Sequence, residues 1–385
     1  DVSQLLIHMR DRCSVGDANA AIDVLLHVLQ DGHFSTHQQM LPHFLEEMNT
    51  CLFNVVANEK EQEQTNNTVH CHKLSDIAFR LGKTQVQGPT VHDILASVAF
   101  LARNRADQFT PAILSSMVWG FACLSVQDGG LMSLAAAEIV NKINGFDHRQ
   151  LSSTAWAFAK CGLWNNELAS CIAAECKEQI VHFSPASLSN IAWAMAQWGV
   201  KEQDLMEAIA QEAINKRDVF DPASLAMTAW AYAMLQVRLD PVMQFISEES
   251  IKRMSFFKKQ DLAHLAWAFA SLKVQDSVAL ELLTEEVKKN MKGTQPPELA
   301  NMAWAFSKMS TANDEIMQML ADEAAPLIGR FKTTEITMVT WAYGVSGRSH
   351  CALMSEIGDK VSQRLEKFSA AQIAHVAWGF GALNM

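Results

Sequence analysis

The sequence predicts an all-α fold: an α-solenoid of stacked two-helix repeats of thirty-seven residues, wound as a right-handed superhelix. Three observations carry this. A tryptophan recurs at Trp119, Trp156, Trp193, Trp230, Trp267, Trp304, Trp341 and Trp378, each step thirty-seven residues with no insertion. Five residues before each stands Leu114, Leu151, Leu188, Leu225, Leu262, Leu299, Ile336 or Ile373. Ten before stands a phenylalanine (Phe109, Phe146, Phe183, Phe220, Phe257, Phe331, Phe368), with Thr294 the exception. Positions are counted below from the tryptophan of each repeat.

The chain divides into a helical region with degenerate repeats, residues 1–108, and eight tandem repeats, residues 109–385, the last of them incomplete. In the first region, Asp17–Gly32 and Met40–Val56 have helical patterning, and the polar stretch Ala57–Thr68 reads as a loop. Leu74–Lys83 matches the repeat with Phe79 in the tryptophan place. In each full repeat, helix A is expected from position −8 to +6. Pro111, Pro185, Pro222 and Pro297 fall in its first turn, where a missing N–H costs nothing. Helix B follows a short polar break. Its apolar stripe lies at +12, +16, +20 and +24, for example Leu168, Ile172, Cys176 and Ile180. Neither helix can bury its apolar face alone, so the repeats must stack.

Composition narrows the function. Nearly half the residues are apolar and about a fifth are charged, which suits a folded chain with no membrane-crossing run. The formal charge of −11 sits awkwardly with phosphate contacts, although its distribution matters more than its sum. The eight cysteines include no C-x-x-C pair and read as reduced thiols. His70-Cys71-His72 is the one local cluster with a metal-ligand look, but no second pair stands at finger spacing. No phosphate loop and no nucleophile–base constellation is present, so neither a cofactor nor an enzymatic activity is expected.

On a helical wheel, the apolar and small columns of helix A fill an arc that reaches round to the tryptophan. Small residues just before and after it let helices approach closely. The tryptophan ladder is therefore expected to be core, a structural repeat frame rather than a stacking platform. Beside it, between about 20° and 120°, runs a strip whose identity changes from repeat to repeat. Its columns lie at −7, −3 and +4. Candidate ligand-reading residues there are Ser116, Arg149, Ser153, Lys160, Asn190, Gln197, His264, Ser271, Asn301, Lys308 and His375. Ser, Asn and His suit base edges, and Lys and Arg suit phosphates. A second column, Glu138, Glu175, Glu212, Glu249, Glu286 and Glu323 at +19, flanks the buried stripe of helix B. A half-buried carboxylate needs a partner. A tryptophan N–H or the amides opening a neighbouring helix A are the expected ones.

The repeated core, as in Leu299-Ala300-Asn301-Met302-Ala303-Trp304-Ala305-Phe306, resembles the octotricopeptide repeats and their thirty-seven-residue relatives, the heptatricopeptide repeats. The match runs from Phe109 to Met385. The resemblance implies a protein of the mitochondrion or chloroplast, its transit peptide not part of this sequence. It implies binding to single-stranded organellar RNA, either mRNA or rRNA, in RNA stability, processing or translation. A second implication is a scaffold, built into an organellar ribosome or another large complex with protein partners.

Overall fold

The computed structural model describes residues 2–14, 17–29, 39–60, 69–309 and 314–385. The chain is all-α, with twenty α-helices and no strand among these residues. It forms two compact units, residues 1–183 and 184–385. Each is an α-solenoid of stacked hairpins.

The first unit opens with helices Val2–Ser14, Ala18–Val28, Leu41–Lys60, Cys71–Thr84 and Pro89–Arg103. The third of these covers part of the expected loop, since Ala57 to Lys60 continue the helix; the rest of that loop, 61–68, lies outside the described residues, as do 30–32 of the expected helical stretch Asp17–Gly32. Helices A then run Pro111–Cys123 and His148–Lys160, and helices B run Gly129–Asn141 and Asn166–Glu178. In the second unit, helices A are Pro185–Trp198, Pro222–Met234, Lys259–Ser271, Pro296–Phe306, Thr333–Ser346 and Ala370–Ala382. Helices B there are Gln203–Asn215, Asp240–Arg253, Ser277–Asn290, Asp314–Ala324 and Cys351–Gln363.

Each helix A starts where the sequence places it. Asp147, Ser184, Asp221 and Ser369 accept hydrogen bonds from amides of the first turn, and Pro111, Pro185 and Pro222 take the first helical position. The end comes earlier than expected. Position +6 adopts the left-handed conformation at Ser125, Gly162, Gly199, Gln236, Lys273, Gly347 and Asn384, and also at Gln85, six residues after Phe79. The amide of position +7 returns to the carbonyl of +2 at 2.9–3.1 Å in six repeats, from Val126 to Phe121 through Val274 to Phe269 and again from Met385 to Phe380. This αL stop closes helix A and turns the chain into helix B. Helix B also stops short: position +24 opens a 3-10 turn such as Ile180–His182, and Ile180 is only half-buried.

Within each unit, helix A packs on the next helix A, and helix B on the next helix B. The residue at +1 sits in the first seam. It is Gly120, Ala157, Ala194, Ala231, Ala268, Ala305, Ala342 or Gly379, and each is buried. At Gly120 a Cβ would lie 2.2 Å from the Ala78 carbonyl oxygen. The phenylalanines at −10 are buried in every repeat that has one, and Thr294, in their place, hydrogen-bonds the Met291 carbonyl at 2.6 Å.

The carboxylates at +19 find different partners from those expected. Most bond the side chain one turn on, at +23: Lys142 to Glu138 at 2.7 Å, Gln179 to Glu175 at 2.7 Å, Lys216 to Glu212 at 2.8 Å and Asn290 to Glu286 at 2.8 Å. Glu323 instead accepts the Gly293 amide at 2.7 Å. The +23 residue also reaches the start of its own repeat. Lys142 donates to the Phe109 carbonyl at 3.0 Å, Gln179 to the Phe146 carbonyl at 2.8 Å, and Arg364 to the Phe331 carbonyl at 3.5 Å. The glutamate thus holds a clamp that satisfies carbonyls left open between the 3-10 turn and helix A.

Glu249 is the most enclosed of these carboxylates, its side chain 1% exposed, and it pairs with Arg217, Lys252 and Arg253. Burial alone would raise its pKa; hydrogen bonds from Lys252 and Arg217 and the charges of Arg253 and Lys252 outweigh burial and hold it below the usual carboxylate range. Its stabilisation is therefore present above the unfolded value of 4.5 and is lost as pH falls through the lower folded one. Glu249→Gln should cost about 3 kcal/mol at neutral pH. Urea melts should show the gap from the parent chain closing in acid. Lys273→Gly should raise stability by about 1 kcal/mol by relieving a left-handed lysine; a urea midpoint that falls instead would contradict the αL stop.

Candidate nucleic-acid interface

Helix A presents its variable strip outward, and the tryptophans lie along the same surface. Trp119, Trp156, Trp193, Trp230, Trp267, Trp304 and Trp341 are half-buried, and Trp378 is 49% exposed. This corrects the expectation that they are core. The seam between helices A is closed by the +1 alanines and glycines and has no room for an indole, so the ring lies along its edge. Successive rings then meet one another. In the first unit, Phe79 and Trp119 have centroids 5.0 Å apart, and Trp119 and Trp156 are 6.4 Å apart. In the second, Trp230, Trp267, Trp304, Trp341 and Trp378 form an unbroken row at 6.3, 5.7, 6.4 and 6.5 Å.

The candidate residues flank these rings. In the first unit, Arg149 and Lys160 are exposed and Ser116 and Ser153 half-buried. Lys160 Nζ stands 4.7 Å from the centroid of its own Trp156, while Ser153 donates to the Gln150 carbonyl of its own helix. In the second, Gln197, Lys308 and His375 are exposed and Asn190, His264, Ser271 and Asn301 half-buried. Lys308 Nζ stands 4.7 Å from the Trp341 ring of the next repeat, and His264 lies 5.8 Å from Trp230. Ser271 accepts from Gln236 at 3.2 Å. Cys123, at +4 in the first full repeat, is buried and interrupts the strip there.

Charge is segregated between the two helix layers. No position in the −7, −3 and +4 columns is Asp or Glu. Arg149, Lys160 and Lys308 make no ion pair among the described residues, whereas Lys142, Lys216, Lys252, Arg253 and Lys288 of the helix B layer are all paired with carboxylates. Two of these three free cations rest on indole faces, which hold them by cation–π attraction without neutralising them. The surface offers flat rings, hydroxyl, amide and imidazole groups, and positive charge. That is the equipment for stacking and pairing with an unstacked strand.

A family model described as RNA-editing substrate-binding complex 6 protein matches residues 46–277 and, again, residues 251–385. The chain belongs to that family. No curated protein matches the chain. The part of the chain that matches this RNA-editing substrate-binding complex 6 family includes every repeat, the Phe79 unit and all the candidate residues. Among the described residues, no helix is long and apolar enough to cross a membrane.

The wheel missed the ring ladder and Thr337, which lies at −4 in a column otherwise filled by small side chains. Thr337 lines an opening to the surface. Of the predicted imidazoles, His264 is the more enclosed, and burial lowers its pKa below 6.5. It is therefore neutral at physiological pH. Because the folded value is the lower one, its burial costs stability as pH falls from about 6.5 towards that value. A proton NMR titration should place the His264 transition below that of a model histidine, and His264→Gln should flatten the stability profile in this window.

Proposed function

We propose that this chain binds single-stranded RNA as a non-catalytic subunit of a mitochondrial RNA-editing substrate-binding assembly. In this reading, the helix A surface takes the strand. Bases stack against the tryptophan row, the −3 and +4 side chains sort their edges, and Arg149, Lys160 and Lys308 neutralise phosphates. Residues 109–385 are the reading array and residues 1–108 its degenerate N-terminal extension. The observation that carries the proposal is the carboxylate-free face with its ring ladder, in a chain whose formal charge is −11. The family's name supports both the RNA and the assembly. The kinship with octotricopeptide and heptatricopeptide repeats, and a role in RNA stability, processing or translation, belong to the same proposal.

A scaffold role is the second reading. It is favoured by apolar side chains exposed at the 3-10 turns, Val219 at 67% and Phe256 at 74%, one repeat apart and away from the tryptophan row. The two roles are compatible, since the RNA face belongs to helix A and these turns follow helix B.

Fluorescence anisotropy of labelled single-stranded RNA over a salt series tests the RNA reading. Arg149→Gln, Lys160→Gln and Lys308→Gln together should weaken binding and reduce the slope of log affinity against log salt by about 2. Absence of binding at low salt would eliminate it.

A further inference from the structure

Between two tryptophans of the second unit the surface opens into a cavity of about 240 Å³, lined by Trp304, Thr337, Met338, Trp341 and His375. It is smaller than the roughly 300–1,000 Å³ of sites that hold drug-sized ligands, and suits one flat ring. Its two indoles are the most nearly parallel successive pair described, 23° between planes against 30–39° for the others. Aromatic walls facing one opening are what a nucleobase stacks on.

The polar groups of the cavity share one property. His375 Nδ1 lies 2.8 Å from the Ala371 carbonyl oxygen. A carbonyl can only accept, so Nδ1 carries the hydrogen, and Nε2 of the neutral ring is an acceptor. Thr337 Oγ1 donates its one hydrogen to the Thr333 carbonyl at 2.8 Å, which leaves its oxygen lone pairs as acceptors. Besides the indole N–H groups of its walls, the cavity thus offers two side-chain acceptors. Among RNA bases, only guanine has two adjacent donors on its pairing edge, N1–H and the N2 amino group. Adenine, cytosine and uracil each place an acceptor beside their one donor position, and an acceptor facing an acceptor leaves both unpaired.

We propose that this cavity is a guanine-binding site: the base stacks against Trp304 and Trp341, and its N1–H and N2–H₂ edge donates to His375 and Thr337. Lys308, at the Trp341 ring, neutralises a neighbouring phosphate. The site rests on the RNA reading above and deepens it, giving this repeat a base preference that its neighbours do not share.

The test uses the whole chain and short oligouridine strands carrying one central guanosine, inosine or adenosine. Anisotropy gives affinity, and tryptophan fluorescence reports stacking. The guanosine strand should bind about 10-fold more tightly than the adenosine strand. Inosine, which lacks the N2 amino group, should fall between them, and tryptophan quenching should follow the same order. Thr337→Val, close to isosteric, and His375→Ala should each erode the guanosine advantage. Equal affinity for the guanosine and adenosine strands, or a guanosine advantage that survives both substitutions, would overturn the guanine site and leave the RNA reading standing. Failure to bind any of the strands would overturn both.

Discussion

Helix A approaches the next helix A so closely that the +1 residue can carry no more than a methyl group, and at Gly120 not even that. A Cβ there would fall within 2.2 Å of Ala78, and one at Gly379 within 2.7 Å of Thr340. Close approach brings dispersion contacts along the whole seam, each small and together large. It also evicts the largest side chain of the repeat. The indole at position 0 has to lie along the seam's edge, where it meets the indole of the next repeat. The spacing of the rings, between 5.7 and 6.5 Å for successive tryptophans, is set by the alanines and glycines beside them.

The same two-layer build resolves the charge. Glutamates of helix B are held by side chains one turn away, and those side chains in turn close the joint between the 3-10 turn and helix A. These carboxylates are therefore a matter of how hairpins are fastened. Helix A contributes no carboxylate to its outer columns, and its few cations rest on rings or stand in water. A chain of net negative charge thus carries a face without one, because structural and exposed charge lie in separate layers.

The backbone repeats more faithfully than the sequence does. Position +6 is left-handed at Gly162, Gly199 and Gly347, where glycine is at ease, and equally at Ser125, Gln236 and Lys273, where it costs energy. No column of similar residues marks that turn. Gln85 adopts it too, six residues after Phe79, which places the degenerate N-terminal repeat on the same geometry. The packing of helix A on helix A fixes where the helix must stop, and side chains that dislike the conformation comply.

By itself the sequence determined the fold class, the repeat length, the start of each helix A and the strip where repeats differ. Each of these depends on local periodicity or on caps, and these are written in neighbouring residues. It misjudged the tryptophans, because a wheel assigns burial by angle and says nothing of how wide a seam is. It also misassigned the partners of the +19 glutamates. Tertiary structure alone decided those matters. It decided as well that Thr337 and His375, from two successive helices A, share one cavity between Trp304 and Trp341, and that both present acceptors there. The distance between successive helices is a property of the packed array, and no single repeat contains it.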